Sequence, residues 1–376
     1  MMEHMTHRER IFAALRHQRP DRVPLDGWFR PEIERALETR LGPAWRDAPG
    51  LDWDGDGGCR IRYTAWERRT DRQARPGDWP GAGVPVVWHD ERTYETPWGW
   101  KQRIGSDGKY NEWAGGPLDA VDPDSREAFD RLDTIVPEHA FEPLEDAAAR
   151  VRQTIAANRV AMTELPLPFK IAWHLRGMEN LLMDFLAHPD FAHALYDRLY
   201  AHCTEAAVRA AQAGTELIMI VGDIATQTNL LFSHALFEEY DKPRLKRLLE
   251  TARAASPLDH LHFFYHSDGD LSAVLPDLIE DLGFDILNPI QPECMDPYAI
   301  KARYGDRITL HGTMSVVDLL PNGPLERIRE VTRERIQRLG AEGGFVLSSA
   351  NVIGFDTPVE HILTMYETAR AYAGTQ

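Results

Sequence analysis

Side chains able to do chemistry recur in this chain at one kind of place, the carboxyl end of a short apolar run. Glu164 follows Val160-Ala161-Met162-Thr163, and Asp223 follows Ile218-Met219-Ile220-Val221-Gly222. His266, Ser267 and Asp268 follow Phe263-Phe264-Tyr265, while Asn288, Gln291 and Glu293 follow Ile286-Leu287. His311 follows Ile308-Thr309-Leu310, and Ser348, Ser349 and Asn351 follow Phe345-Val346-Leu347. Any one of these could be an ordinary cap or loop former. Six strand ends in series point instead to an enzyme whose site gathers at one rim.

His266 and Asp268 lie two apart on extended chain, so both side chains face the same way. They can share a metal ion or a substrate group, or form a His–carboxylate pair that sets the imidazole tautomer. Asp268 can equally cap the helix that starts near Leu271. Gly269 permits the tight turn that follows. Asp223, in Gly222-Asp223-Ile224-Ala225-Thr226-Gln227, leaves a strongly apolar strand. A carboxylate shielded there can hold its proton to higher pH and serve as acid or base. Cys294 beside Glu293 offers a thiolate, although an isolated cysteine is more often inert.

The elements that must position these groups are visible as periodicity. Thr6–His17 has apolar residues at helical spacing and a Thr6…Glu9 capping-box pattern. The sequence predicts strands at Val23–Trp28, Val160–Glu164, Glu216–Gly222, Leu261–His266, Asp285–Pro289, Ile308–His311 and Gly344–Ser348. It predicts helices at Pro31–Leu41, Met178–Ala213, Ser233–Ala255, Leu271–Leu282, Pro297–Tyr304, Leu325–Leu339 and Pro358–Ala373. Strict alternation of strand and helix argues a parallel sheet covered on both faces. The expected fold is α/β, a (β/α)8 TIM barrel in a single domain over residues 1–376; an open doubly wound sheet is the alternative. Gly, Pro and Trp crowd residues 42–123, which reads as an ordered insertion with short hairpin strands at Val84–Trp88, Arg92–Glu95 and Trp98–Ile104. The eighth barrel strand is expected within it. Its Trp53, Trp79, Trp88, Trp98, Trp100 and Trp113 could roof an apolar ligand or pack as a subdomain.

Composition removes other classes. With 42 Lys+Arg against 59 Asp+Glu, a net charge of −17, the surface cannot release counterions from nucleic acid as a polyanion binder must. The basic stretch Arg60–Arg75 is interleaved with acids and aromatics and reads as solvated surface. Cys59, Cys203 and Cys294 are far apart and form no Cys-x-x-Cys, which fits a reduced cytoplasmic setting. No run reaches the 18 apolar residues or so that a membrane span needs. Motifs of P-loop NTPases, zincins, α/β-hydrolases and Gly-rich dinucleotide folds are missing.

The order of motifs resembles the uroporphyrinogen decarboxylase superfamily over nearly the whole chain. The resemblance lies in Arg8-Glu9-Arg10-Ile11-Phe12-Ala13-Ala14-Leu15, Pro20-Asp21-Arg22-Val23-Pro24, Gly222-Asp223…Gln227 and His266-Ser267-Asp268-Gly269. It continues in Asn288-Pro289-Ile290-Gln291-Pro292-Glu293, His311-Gly312 and Gly343-Gly344-Phe345-Val346-Leu347. It implies a (β/α)8 barrel with the active site at the strand C-termini. Decarboxylases of the superfamily carry an Arg-Gln-Ala-Gly-Arg segment where this chain has Trp28-Phe29-Arg30-Pro31. Its corrinoid-dependent methyltransferases build a zinc site on His-x-Cys and a further Cys. Here His266 matches the His, Asp268 replaces the first Cys, and Ser348-Ser349-Ala350-Asn351 supplies none. The resemblance therefore implies a harder metal site, for zinc or another divalent ion, with His266, Asp268 and Glu293 as candidate ligands. The chain lacks the Asp-x-His-x-x-Gly cobalamin motif, so a corrinoid would arrive on a separate protein.

The expected function is a methyltransferase or demethylase for a small methylated compound. Asp223, His266 and Asp268 are the expected catalytic groups, and Trp28, Arg30, Glu164, Gln227, Gln291, His311 and Asn351 the expected substrate contacts. The rivals are a decarboxylase or lyase that holds a carboxylate with Arg30, and a non-catalytic ligand-binding barrel. A homodimer is the default assembly.

Overall fold

The computed structural model describes residues 5–45, 86–106, 111–137 and 141–373. Six strands form one parallel sheet: β5 (Met162–Pro166), β6 (Leu217–Val221), β7 (His262–His266), β8 (Ile286–Asn288), β9 (Thr309–His311) and β10 (Phe345–Val346). They pair in chain order from β5 to β10. The segment around Leu25 continues the sheet beyond β10: Leu25 and Leu347 form a parallel bridge, with Leu347 N–H on the Pro24 carbonyl at 2.9 Å and Asp26 N–H on the Leu347 carbonyl at 3.0 Å. Sequential parallel order with a helix-bearing crossover at each step is the order of a (β/α)8 barrel.

Alternation along each strand explains the two cores. Met162, Leu217, Met219, Phe264, Ile286 and Val346 share one parity and form a compact interior cluster with Ile11, Phe12 and Leu15. The opposite parity, Ile218, Ile220, Phe263, Tyr265, Leu287 and Leu310, packs outward into the large cluster that the helices complete. Each such residue stabilises by roughly 1.5–3 kcal/mol on burial, so a one-residue slip in register would exchange both cores at once. The helix His7–Leu15 thus lends its apolar stripe to the barrel interior. Its start is held as the sequence predicts: Glu9 N–H donates to Thr6 Oγ1 at 3.3 Å and Thr6 N–H to Glu9 Oε2 at 2.8 Å.

The structure departs from expectation where prolines intervene. The helix expected over 178–213 is two helices, Met178–Ala187 and Pro189–Gln212. Pro189 pushes His188 out of helical geometry, to φ −135° and ψ 58°. The helix expected from Ser233 passes through a π turn, Phe237–Asp241, just ahead of Pro243, and Leu271–Leu282 reduces to turns and a second π turn, Asp277–Asp281.

In the irregular third, β1 (Val87–Trp88), β2 (Thr93–Glu95), β3 (Lys101–Ile104) and β4 (Asn111–Trp113) make a separate antiparallel sheet. They pair only with each other, so the expected eighth barrel strand is not found here among the described residues. Trp98 packs against His202, Trp100 against His174, and Trp113 Nε1 donates to the His174 carbonyl at 2.8 Å. These rings serve packing against the helices Pro168–Arg176 and Pro189–Gln212. None of the described tryptophans of this sheet lines the cavity described next; Trp53, Trp79, Cys59 and the Arg60–Arg75 stretch lie outside the described residues.

Candidate active site

The loops that leave β6 and β7 are stitched together by their own polar groups. Gly222 N–H donates to the His266 carbonyl at 3.0 Å, Ile224 N–H to Ser267 Oγ at 3.1 Å, and Asp268 N–H to Asp223 Oδ1 at 3.0 Å. Gly269 follows with φ +93°, and a Cβ there would sit 2.3 Å from the Thr226 carbonyl oxygen. Only glycine lets the two loops come this close. The result is a convergence: one donor atom each from Asp223, His266 and Asp268 lies within 4.8 Å of the others.

Asp268 is the least satisfied member. Its Oδ2 accepts from Asn351 Nδ2, whereas Oδ1 is buried with no hydrogen-bond partner among the described residues. Burial pushes its carboxyl above the ordinary range and the neighbouring Asp223 charge adds to this, while His266, Asn351 and Lys170 act in the opposite sense. A cavity of about 600 Å³ opens beside it, lined by Arg30, Asp268, Gln291 and Asn351 with Phe29 and Val316 among the apolar walls. That size suits a small molecule. Gln291 is fixed by the Gly269 N–H on its Oε1 at 3.3 Å.

A second polar system runs beneath this rim. His266 Nδ1 meets Asn288 Oδ1, Asn288 Nδ2 meets His311 Nδ1 at 2.7 Å, and His311 Nε2 meets Asp26 Oδ2 at 2.9 Å. Asp26, Asn288, His266 and His311 are all buried. The Trp28 ring packs against Phe264, His266 and His311.

Several expectations need correction. His311 has no exposed surface and is held between Asn288 and Asp26, off the cavity wall. Glu293 is not in the group that converges with His266; its carboxylate accepts from Ser315 Oγ. Gln227 stands exposed in the turn after β6 and does not line the cavity. Glu164, on β5, and Trp28, in the segment after Asp26, are half-buried and off the cavity wall. Cys294 is likewise outside the convergent group, and burial with the Glu293 charge raises its thiol pKa. Asp26 and the linking role of Asn288 were not foreseen. The available signal for Asp26 was parity, since it lies two residues before Trp28 on an inward-facing strand position.

The model of the uroporphyrinogen decarboxylase (URO-D) family matches residues 101–372, most of the chain. The chain belongs to that family. Its barrel is therefore the TIM barrel of the family, with the convergent group at the carboxyl rim where such barrels place their sites. The chain is 25% identical over 198 residues to a methylated-thiol–coenzyme M methyltransferase of Methanosarcina mazei, a stretch that is 53% of this chain and 49% of that protein. The match thus spans about half the length of the curated relative. A solved methyltransferase from Methanosarcina mazei superposes with a TM-score of 0.63 over 98% of this chain and 99% of its own, at 17% identity, which is a likeness of fold.

The donor set suits a divalent cation: one imidazole nitrogen and two carboxylates, one of which has an oxygen lacking a partner among the described residues. Such an N/O set favours zinc, manganese or iron over soft ions.

Proposed function

We propose that this protein moves a methyl group from a small methylated compound to an acceptor carried by a separate corrinoid protein, at a metal-assisted site formed by Asp223, His266 and Asp268. The observation that carries the reading is the partnerless Asp268 oxygen within a three-donor convergence beside a 600 Å³ cavity. The methyltransferase relative supports the reaction class.

A bound divalent ion would supply Lewis-acid polarisation of the substrate heteroatom. His266 and Asp268 would hold that ion together with Asp223. Arg30, Gln291 and Asn351 on the cavity wall would orient the substrate, and the apolar walls would exclude water. The bond between heteroatom and methyl carbon would break with its electron pair left on the heteroatom as the methyl carbon takes a pair from the acceptor, and the proton that the released group needs would come from solvent. The test is to incubate the protein with a reduced corrinoid protein and a panel of methylated thiols, amines and methoxyarenes, following the corrinoid absorbance. Methylation by the parent and loss of at least about 10²-fold in His266→Ala are expected. No methylation with any class, with the metal site filled, would overturn the reading.

Arg30 on the cavity wall favours one second reading, decarboxylation of a small acid. Release of CO2 from a carboxylate panel, abolished in Arg30→Ala, would select it.

A further inference from the structure

We propose that Asp26 is a positioning residue that sets the tautomer of His266 from four strands away, through His311 and Asn288, so that Nε2 of His266 keeps a free electron pair. The proposal rests on His266 acting at the site; it does not depend on which ligand His266 meets.

The inference follows from what each atom can do. An amide oxygen only accepts and an amide nitrogen only donates. Asn288 Oδ1 lies on His266 Nδ1, so that nitrogen must carry the proton. Asn288 Nδ2 lies on His311 Nδ1 at 2.7 Å, so that nitrogen must be bare. The proton of neutral His311 is then on Nε2, where it donates to Asp26 Oδ2 at 2.9 Å. Every link agrees with its neighbours. Turning the Asn288 amide over would place a proton on His311 Nδ1 while Asp26 still requires one on Nε2. That ring would then need a proton on both nitrogens, whereas the amide orientation seen here needs only one. The contacts thus relay one consistent placement of protons from the carboxylate at one end to His266 at the other.

The chain is held rigidly. Asp26 Oδ1 accepts from Gly27 N–H at 2.8 Å, and Tyr366 O–H donates to the Asp26 carbonyl at 2.8 Å. Gly312 has φ +72°, and a Cβ there would lie 2.3 Å from Asn288 Nδ2, so glycine is what leaves room for the amide. With Nδ1 taken by Asn288, Nε2 is the nitrogen left to a ligand, and it has no hydrogen-bond partner among the described residues. Outer hydrogen bonds of this kind orient a histidine and raise its basicity toward a ligand.

One substitution should invert the whole series. In Asp26→Asn the Gly27 N–H keeps the amide oxygen, and the new NH2 faces His311 Nε2. That nitrogen must then be bare, His311 moves its proton to Nδ1, the Asn288 amide turns over, and His266 is driven to the Nε2–H form. Adding Asn288→Asp restores an acceptor for both rings, so the double variant should recover the Nδ1–H form of His266.

The test is long-range 1H–15N correlation of metal-free protein labelled at histidine nitrogen, at alkaline pH, with His266 assigned by loss of its signals in His266→Gln. The parent should show His266 protonated on Nδ1, Asp26→Asn on Nε2, and Asp26→Asn/Asn288→Asp on Nδ1 again. Zinc affinity should fall roughly 10–100-fold in the single variant and recover in the double. An Nε2–H form in the parent, or an unchanged tautomer in Asp26→Asn, overturns the proposal. The parent spectrum alone can do so if the variant fails to fold. Because the spectrum is read without metal, corrinoid or substrate, its outcome is separate from that of the methyl-transfer assay.

Discussion

An Asp268 oxygen buried without a partner among the described residues costs the fold about 1–3 kcal/mol, and such a cost is expected where a ligand offsets it. Asp268→Asn keeps the shape and its carbonyl oxygen can still take the Asn351 donor, while the carboxylate charge is gone. Its melting temperature should match or exceed that of the parent while metal binding and turnover fall by at least about 10²-fold; a large drop in melting temperature with activity retained would make Asp268 a structural residue instead. Asp223, His266, Asp268, Gln291 and Asn351 were legible in the sequence because strand-end position and parity are local properties. Asp26 was not, because its partner His311 is 285 residues away in the chain and nothing local marks a side-chain hydrogen bond across a barrel. Glu293 and His311 lie off the cavity wall for a related reason: strand-end position brings a residue to the rim, but the neighbour it bonds decides whether it faces the cavity.

At the scale of elements, inward and outward parity placed six of the seven expected strands in the parallel sheet, and the seventh, around Leu25, continues it by bridges. What the pattern could not foresee was backbone behaviour around proline, at His188–Pro189 and in the π turns, or the independent sheet β1–β4. The Trp-rich segment illustrates a general ambiguity: a cluster of aromatics looks the same in sequence whether it covers a ligand or packs on a helix. Trp100, 1% exposed, packs on His174 and Trp98. Trp100→Ala should cost about 3–5 kcal/mol in urea unfolding while KM stays within about twofold of the parent; a KM rise with stability unchanged would restore the roof reading. The π turn Phe237–Asp241 ends on a carboxyl with its own signature. Burial holds Asp241 at about 7 against the ordinary 3.8, with Tyr200 O–H on Oδ1 at 2.7 Å. The folded state therefore keeps a proton that the unfolded chain loses, and this contribution is full below about pH 4 and lost as pH rises through 7. Asp241→Asn should gain stability relative to the parent as pH goes from 5 to 8, by an amount on the order of 2–4 kcal/mol. A pH-independent difference in guanidinium midpoints would show that Asp241 ionises normally.

For the molecule as a whole, the parts agree on one direction of use. The N-terminal helix packs into the barrel interior with the lower strand residues, the antiparallel sheet braces the outer helices, and the polar strand ends meet at the opposite rim around the cavity. No helix among the described residues is long and apolar enough to cross a membrane, and the acidic surface, net −17, disfavours polyanions. The central claim is that Asp223, His266 and Asp268 together hold a divalent ion. The most direct measurement is the metal content of protein purified without chelator, by inductively coupled plasma mass spectrometry, beside His266→Ala and Asp268→Asn with folds checked by circular dichroism. Close to one zinc, manganese or iron per parent chain is expected, with most of it lost in both variants. A folded parent that stays metal-free even after dialysis against each ion, or variants that retain the metal in full, would rule out a metal site at Asp223, His266 and Asp268.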